Sequence, residues 1–178
     1  MNETHTSLRA AADLCGRLLL REVGPAELAL LRTPDVAAAC AALGLDLPEG
    51  DDARVLDALA ADYFDAFVAP ASGGPPVESL WRSGAYEGGP AAEMRRLAES
   101  AGLEFDRDSA RGAPPDHLGS QLCLWAATDG LAPDVAAHLR EHHLAWGIDA
   151  LRPRCAARGF YGSLARAACA SIGAIGRG

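Results

Sequence analysis

Proline and glycine residues divide this chain into segments that carry apolar side chains at helical spacing. Gly24-Pro25 and Thr33-Pro34 each end one such segment and place a proline where the first turn of the next would begin. Pro133 opens a later segment in the same way. Because a proline in the first helical turn loses no intrahelical hydrogen bond, this pattern predicts a succession of short α-helices separated by tight breaks.

The composition favours helices throughout the chain. Ala and Leu dominate, whereas Val, Ile and Thr, which favour strands, are few. The chain has 178 residues, of which 49% are hydrophobic, and this is enough for one sizeable core but too little for two. We therefore predict an all-α fold, a single-domain helical bundle over residues 1–178.

The apolar periodicity and its breaks define the individual helices. A long helix is predicted to follow residues 51–52 and to end at Pro70, and the proline- and glycine-rich stretch 69–76 is predicted to be a surface loop. A second long helix is predicted over residues 133–157. The other predicted helices cover residues 7–23, 25–32, 34–43, 90–101, 115–125 and 161–172.

The charge and the N-terminal segment exclude several classes of partner. The net charge of −8 repels phosphate backbones and anionic membranes but attracts basic peptides, so nucleic acid is not an expected partner. The segment from Leu8 to Leu20 is interrupted by Arg9, Asp13 and Arg17, so it lacks the apolar run of a signal peptide or a membrane span. We expect a cytoplasmic protein without stable membrane insertion.

No cofactor motif is readable in the sequence. The five cysteines form no CxxC pair, which argues against a zinc knuckle, and disulfides are not expected. Neither GxxxxGK[ST] nor a GxGxxG motif after a strand is present, so no phosphate-binding loop is predicted. We therefore expect no bound cofactor.

The stretch from Ala113 to Trp125 combines a helix start with titratable side chains. Pro115 suits the first turn of a helix, and Asp116 then lies where the free amides favour negative charge. One interpretation is that Asp116 only completes the helix start and that His117 is solvated. The other is a recognition site at the helix end.

Trp81 follows the proline loop and also has two interpretations. It could be a plug that packs the loop onto the core, or a half-exposed aromatic that contacts a ligand. The sequence alone favours the plug.

The histidines suggest chemistry only weakly. His138 and His142 have the spacing of a two-histidine metal clip, but the glutamate of an HExxH motif is missing. We expect no metal, with His142 partly buried beside Trp146 and His138 solvated. Asp116 cannot easily orient its neighbour His117 for acid–base catalysis, so no catalytic residues are predicted.

Five short motifs occur in an order typical of a known family. In this order they resemble the TorD/DmsD family of redox-enzyme maturation chaperones, most strongly over residues 55–172, and the DHxGSxLxLxAA run from Asp116 to Ala127 looks most like the DmsD branch. The motifs lie at residues 63–70, 75–81, 115–117, 142–146 and 159–161.

The resemblance implies an all-helical, cytoplasmic and non-enzymatic protein. Its expected partner is the twin-arginine signal peptide of a molybdopterin oxidoreductase precursor, which it would hold until maturation is complete and export is allowed. We hypothesise that Asp116 forms an ion pair with an arginine of the leader and that aromatic side chains pack against its apolar segment. The expected peptide-binding residues are Phe67, Glu78, Ser79, Trp81, Asp116, His117, Gln121, Trp125, His142 and Trp146.

Two other functions remain open at this point. One is a small helical metal-dependent enzyme that uses Asp116, His117 and His142. The other is a scaffold for the assembly of an oxidoreductase complex, which would recognise no leader. The resemblance leaves the chain either a monomer or a dimer swapped through its 70–76 and 103–114 connections.

Overall fold

The computed structural model describes residues 3–69, 73–106, 108, 110 and 112–178. Within these residues the chain forms ten α-helices and no β-strand, which confirms the predicted all-α bundle. The helices are α1 Glu3–Leu20, α2 Pro25–Leu31, α3 Pro34–Ala42, α4 Asp52–Tyr63, α5 Glu78–Ser83, α6 Gly89–Ser100, α7 Leu118–Thr128, α8 Pro133–His142, α9 Trp146–Leu151 and α10 Phe160–Ile175.

Several predicted helix starts are confirmed, and a proline or an acidic cap accounts for each of them. Pro25, Pro34 and Pro133 each occupy the first turn of a helix, as expected. The carboxylate of Asp51 accepts a hydrogen bond from the backbone N of Arg54 at 3.1 Å and so caps α4. Local chemistry therefore explains most of the helix boundaries in the first half of the chain.

Helices α1 and α7 form the centre of the core at very short range. A Cβ atom on Gly119 would lie 2.5 Å from the carbonyl oxygen of Gly16, and one on Gly16 would lie 2.7 Å from the carbonyl oxygen of Gly119. The two backbones therefore touch, and only glycine fits at either position. Leu118, Leu122 and Trp125 of α7 are buried, as their spacing predicted.

Aromatic side chains join α4 to α10. Helix α4 passes into a single π-helical turn at Phe64–Val68, where Ala69 N donates to Phe64 O at 2.8 Å. The ring of Phe67 contacts those of Tyr63 and Tyr161, with centroids 5.3 and 5.7 Å apart. The helical winding of this segment therefore changes at Phe64 and ends at Val68, and the predicted end at Pro70 lies outside the described residues.

The helices differ from the prediction in three places. Residues 78–83 form a helix that the sequence pattern did not indicate. Helix α7 begins at Leu118 and not near Pro115, because the preceding residues pair with the start of α5. The predicted helix 133–157 is broken after His142, since His143 turns into the protein interior. The chain resumes as α9 and then as a 3-10 turn at Arg154–Ala156.

The predicted loop 69–76 and the 103–114 connection are only partly described. Residues 70–72, 107, 109 and 111 lie outside the described residues. Gly73 and Gly74 both have positive φ, at 80° and 82°, which favours glycine. None of the described helices is long and apolar enough to cross a membrane.

Substitution of Gly119 tests the α1–α7 contact. Gly119→Ala should lower the free energy of unfolding by about 2 kcal/mol or more, because the new methyl group meets backbone that cannot move aside. Gly173→Ala is the matched control, because a Cβ there meets only the end of Arg177 at 3.6 Å within a helix. The control should be neutral or stabilising. Urea unfolding of both variants checks this, and equal effects would contradict the contact.

Candidate functional site

The start of α5 is held against the residues that precede α7. Val77 and His117 form an isolated antiparallel bridge. Glu78 N donates to Asp116 O at 3.0 Å, and Leu118 N donates to Pro76 O at 2.8 Å. We refer to residues 76–79 and 116–118 as the α5–α7 junction.

Asp116 caps α5 and not the helix that follows it in sequence. Its Oδ2 accepts a hydrogen bond from Ser79 N at 2.8 Å, and the residue is completely buried. Its Oδ1 has no hydrogen-bond partner among the described residues. An arginine of a bound peptide could reach this carboxylate only if the α5–α7 junction opened.

His117 supplies the cap that the sequence analysis assigned to Asp116. Its Nδ1 accepts a hydrogen bond from Gly119 N at 3.1 Å, and its ring is buried, so the interpretation in which His117 is solvated is wrong. Burial lowers the pKa of His117 to about 4. The imidazole is therefore neutral at pH 7, with its proton on Nε2.

A buried polar network extends from Glu78 through the interior. Glu78 Oε2 accepts from Gln121 Nε2 at 2.5 Å and lies 2.9 Å from His143 Nδ1. Its Oε1 lies 2.5 Å from Arg82 Nη2. Gln121 Oε1 in turn accepts from Trp146 Nε1 at 3.1 Å. The network fixes α5, α7 and the start of α9 relative to one another.

Trp81 lies at the mouth of a cleft, which we call the tryptophan cleft. Its side chain is 54% exposed, so the plug interpretation is wrong, whereas contact with a ligand stays a prediction. Its ring centroid lies 6.4 Å from that of Trp146, which is mostly buried. The cleft has a volume of about 200 Å³, and its lining residues include Gly73, Gly74, Pro75, Pro76, Leu80, Trp81, Trp146 and Arg154.

Arg154 closes the floor of the tryptophan cleft and was missed by the sequence analysis. Its guanidinium donates to Ala66 O at 2.6 Å and also to the carbonyl oxygens of Ala150 and Gly74. It lies over the ring of Phe67, 5.2 Å from the centroid. Burial lowers its pKa. No motif marks this arginine, because its partners are backbone carbonyls.

The other predicted site residues divide by exposure. Phe67 and Trp125 belong to the core, and Ser79 contributes its backbone amide from a buried position. His142 is exposed, and its carbonyl accepts from Arg82 Nη2 at 2.9 Å. The expectation that His142 is partly buried is wrong, because the next residue, His143, takes that place. Of the predicted peptide-binding side chains, only Trp81 and His142 are exposed.

A larger cavity lies on another face, between α1, α2, α7 and the connection after α6. Its volume is about 430 Å³ and its lining is mostly apolar. Leu30, at its edge, is 58% exposed. The lining includes Leu14, Leu18, Leu30, Leu31, Val36, Phe105 and Leu124.

A group of side chains beside the Glu78 network could hold a metal ion. Donor atoms of Glu93, His138 and His143 all lie within 4.8 Å of one another. Burial acts to raise the pKa of Glu93, but hydrogen bonds and charge from the two histidines outweigh it and lower that pKa. The predicted pair His138 and His142 shares a ring contact at 4.6 Å, but His142 is not in this group.

A comparison with protein families bears on this arrangement. The family model described as nitrate reductase delta subunit matches residues 32–150, which is more than half of the chain. The chain belongs to this family. It is a family of NarJ/TorD-type chaperones that act in molybdoenzyme maturation, and it is not a catalytic family. The predicted TorD-type resemblance is thereby confirmed. No curated protein matches the chain.

The matched region covers the α5–α7 junction and most of the tryptophan cleft. Trp81, Asp116 and Trp146 lie within residues 32–150, whereas Arg154 and α10 follow them. The match therefore includes most of the residues that build this site. The DmsD branch, which the sequence favours, stays a prediction.

The burial of His117 predicts a specific acid sensitivity. Its folded pKa of about 4 lies below the ordinary 6.5, so neutral His117 contributes stability above pH 6.5 that is lost as pH falls toward 4. Wild-type protein should lose about 2 to 3 kcal/mol more of its unfolding free energy between pH 7 and 4.5 than His117→Asn, in which asparagine keeps the cap. Denaturant unfolding at both pH values measures the difference. Equal losses in the two proteins would contradict a buried neutral His117.

Proposed function

We propose that this protein is a cytoplasmic chaperone that binds the twin-arginine signal peptide of a molybdopterin oxidoreductase precursor and assists its maturation before export. The family supplies the coarse function, a chaperone in molybdoenzyme maturation. The observation that carries the finer proposal is the half-exposed Trp81 over Trp146 at the tryptophan cleft. Exposed aromatic side chains that pack on a buried neighbour commonly supply much of the affinity for a docked peptide.

The cleft suits the apolar part of a leader peptide. Leu80, Pro75 and the two indole rings supply apolar walls. Phe64 and Val68 are also exposed, at 53% and 54%, on the π-helical turn. Arg154 binds carbonyls of both that turn and the cleft loop, so it holds these two segments close together. The leader would gain affinity by covering them.

Asp116 enters this proposal as a positioning residue. It is fully buried and occupied with Ser79 N, so it acts by fixing the start of the helix that carries Trp81. The leader arginines would instead bind exposed carboxylates, because the net charge of −8 makes the protein surface attractive to cations. Asp65 and Asp149 are exposed, and they are the proposed arginine contacts. Asp65 precedes Ala66, whose carbonyl binds Arg154, and Asp149 precedes the cleft residue Ala150 and already pairs with Arg152 at 2.8 Å.

The arrangement does not favour the enzyme alternative. The carboxylate of Asp116 is used by α5, the Nδ1 of His117 is used by α7, and His142 is exposed elsewhere. These three side chains therefore do not form one accessible centre. The scaffold alternative differs from the proposal in its partner, because a scaffold would bind the folded enzyme and not the free leader.

Replacement of Trp81 tests the proposed site. Titration calorimetry with synthetic twin-arginine leaders should show selective binding of one leader, and Trp81→Ala should weaken that binding about tenfold or more through loss of the aromatic anchor. Leu30→Ala is the matched control, because Leu30 is equally exposed but lies at the larger cavity. Its affinity should equal that of the wild type.

Two outcomes of this titration would count against the proposal. Binding that is lost in Leu30→Ala and kept in Trp81→Ala would place the leader in the larger cavity. Failure of every leader to bind, together with binding of the mature folded enzyme, would favour the scaffold.

A further inference from the structure

We propose that Glu93, His138 and His143 form a binding site for a divalent zinc-like cation. Glu93 lies on α6, His138 lies on α8, and His143 directly follows α8. The inference does not depend on the proposed leader binding, because it rests on a separate group of side chains.

The distances between donor atoms fit a single small ion. Glu93 Oε1 lies 2.9 Å from His138 Nε2, and Glu93 Oε2 lies 3.5 Å from His143 Nε2. Tetrahedral zinc with bonds of about 2.0 Å holds its ligand atoms roughly 3.3 Å apart. All three donor atoms lie within 4.8 Å of one another, so rotations of the Glu93 carboxylate and of both imidazole rings would bring them onto one ion.

His143 has a carboxylate near each of its ring nitrogens, and this arrangement favours a bound cation. Its side chain is only 5% exposed, and Nδ1 lies 2.9 Å from Glu78 Oε2, an atom that can only accept when ionised. If Nδ1 donates to Glu78, a neutral ring directs the lone pair of Nε2 toward the Glu93 carboxylate. Nε2 faces Glu93 Oε2 at 3.5 Å without a well-formed hydrogen bond. Two facing acceptors need a proton or a metal ion between them.

The second carboxylate, that of Glu78, suits a metal ion at this position. A histidine that binds a metal through one nitrogen commonly donates from the other to a carboxylate, which fixes the ring and raises its basicity. Glu78 occupies that position for His143. The Glu93 and His138 side chains are 35% and 37% exposed, so an ion can enter and retain water at an open position. Two imidazoles and one carboxylate favour Zn²⁺ and its neighbours over Mg²⁺ or Ca²⁺.

Such an ion would join parts of the chain that are distant in sequence. It would link α6 to α8, and through His143 and Glu78 it would reach Arg82 on α5. Because bound metal stabilises only the folded state that holds its ligands together, Zn²⁺ should raise the melting temperature of the protein.

Zinc titration of the untagged full chain tests this site. The wild type should bind Zn²⁺ in a one-to-one ratio, and Glu93→Gln and His138→Asn should each weaken binding at least tenfold. These two positions are partly exposed, so both variants should fold. His142→Asn is the matched control, because His142 is exposed one turn from His138 and lies outside the group. The control should bind Zn²⁺ like the wild type.

Three results would overturn the proposed site. The first is a wild type that takes up no stoichiometric Zn²⁺ and shows no shift in melting temperature; His143 would then carry a proton between Glu78 and Glu93. The second is binding unchanged in Glu93→Gln and His138→Asn. The third is a loss in His142→Asn as large as in His138→Asn, which would assign the ion to the surface pair of histidines.

Discussion

The hydrogen bond from Ser79 N to the buried carboxylate of Asp116 is the interaction on which the site depends. Helix α5 has only the six residues Glu78–Ser83, too few for a stable helix in isolation. An acceptor from outside the helix satisfies its first turn, and the bridge between Val77 and His117 fixes its direction. Trp81 is exposed in a defined place because this short helix is held at its start.

The same junction introduces a second buried carboxylate, that of Glu78. An isolated buried charge is costly, and here Gln121, His143 and Arg82 surround it. Gln121 also accepts a hydrogen bond from Trp146, so the same network holds both indole rings of the tryptophan cleft in place. The predicted binding residues thus act mainly as a buried frame, and the surface they hold in position is small.

Sequence reasoning succeeded where the cause of a structure is local. First-turn prolines and helical periodicity located α2, α3 and α8, and the resemblance located Asp116 and Trp146 near one site. It failed where the cause is distant in sequence. The cap of α5 comes from Asp116, 37 residues further on. His143 breaks a helix to meet Glu78, and Arg154 binds carbonyls of the chain before it, so neither has a local signal.

The affinity of Asp116→Asn for the leader that the wild type binds tests the central claim most directly. Asparagine keeps an oxygen that can accept from Ser79 N but removes the charge. If Asp116 acts by holding α5, this variant should fold and bind the leader within about threefold of the wild type. A loss of affinity as large as that in Trp81→Ala, in a variant that unfolds at the wild-type temperature, would contradict the account. It would show that the charge itself contacts the peptide.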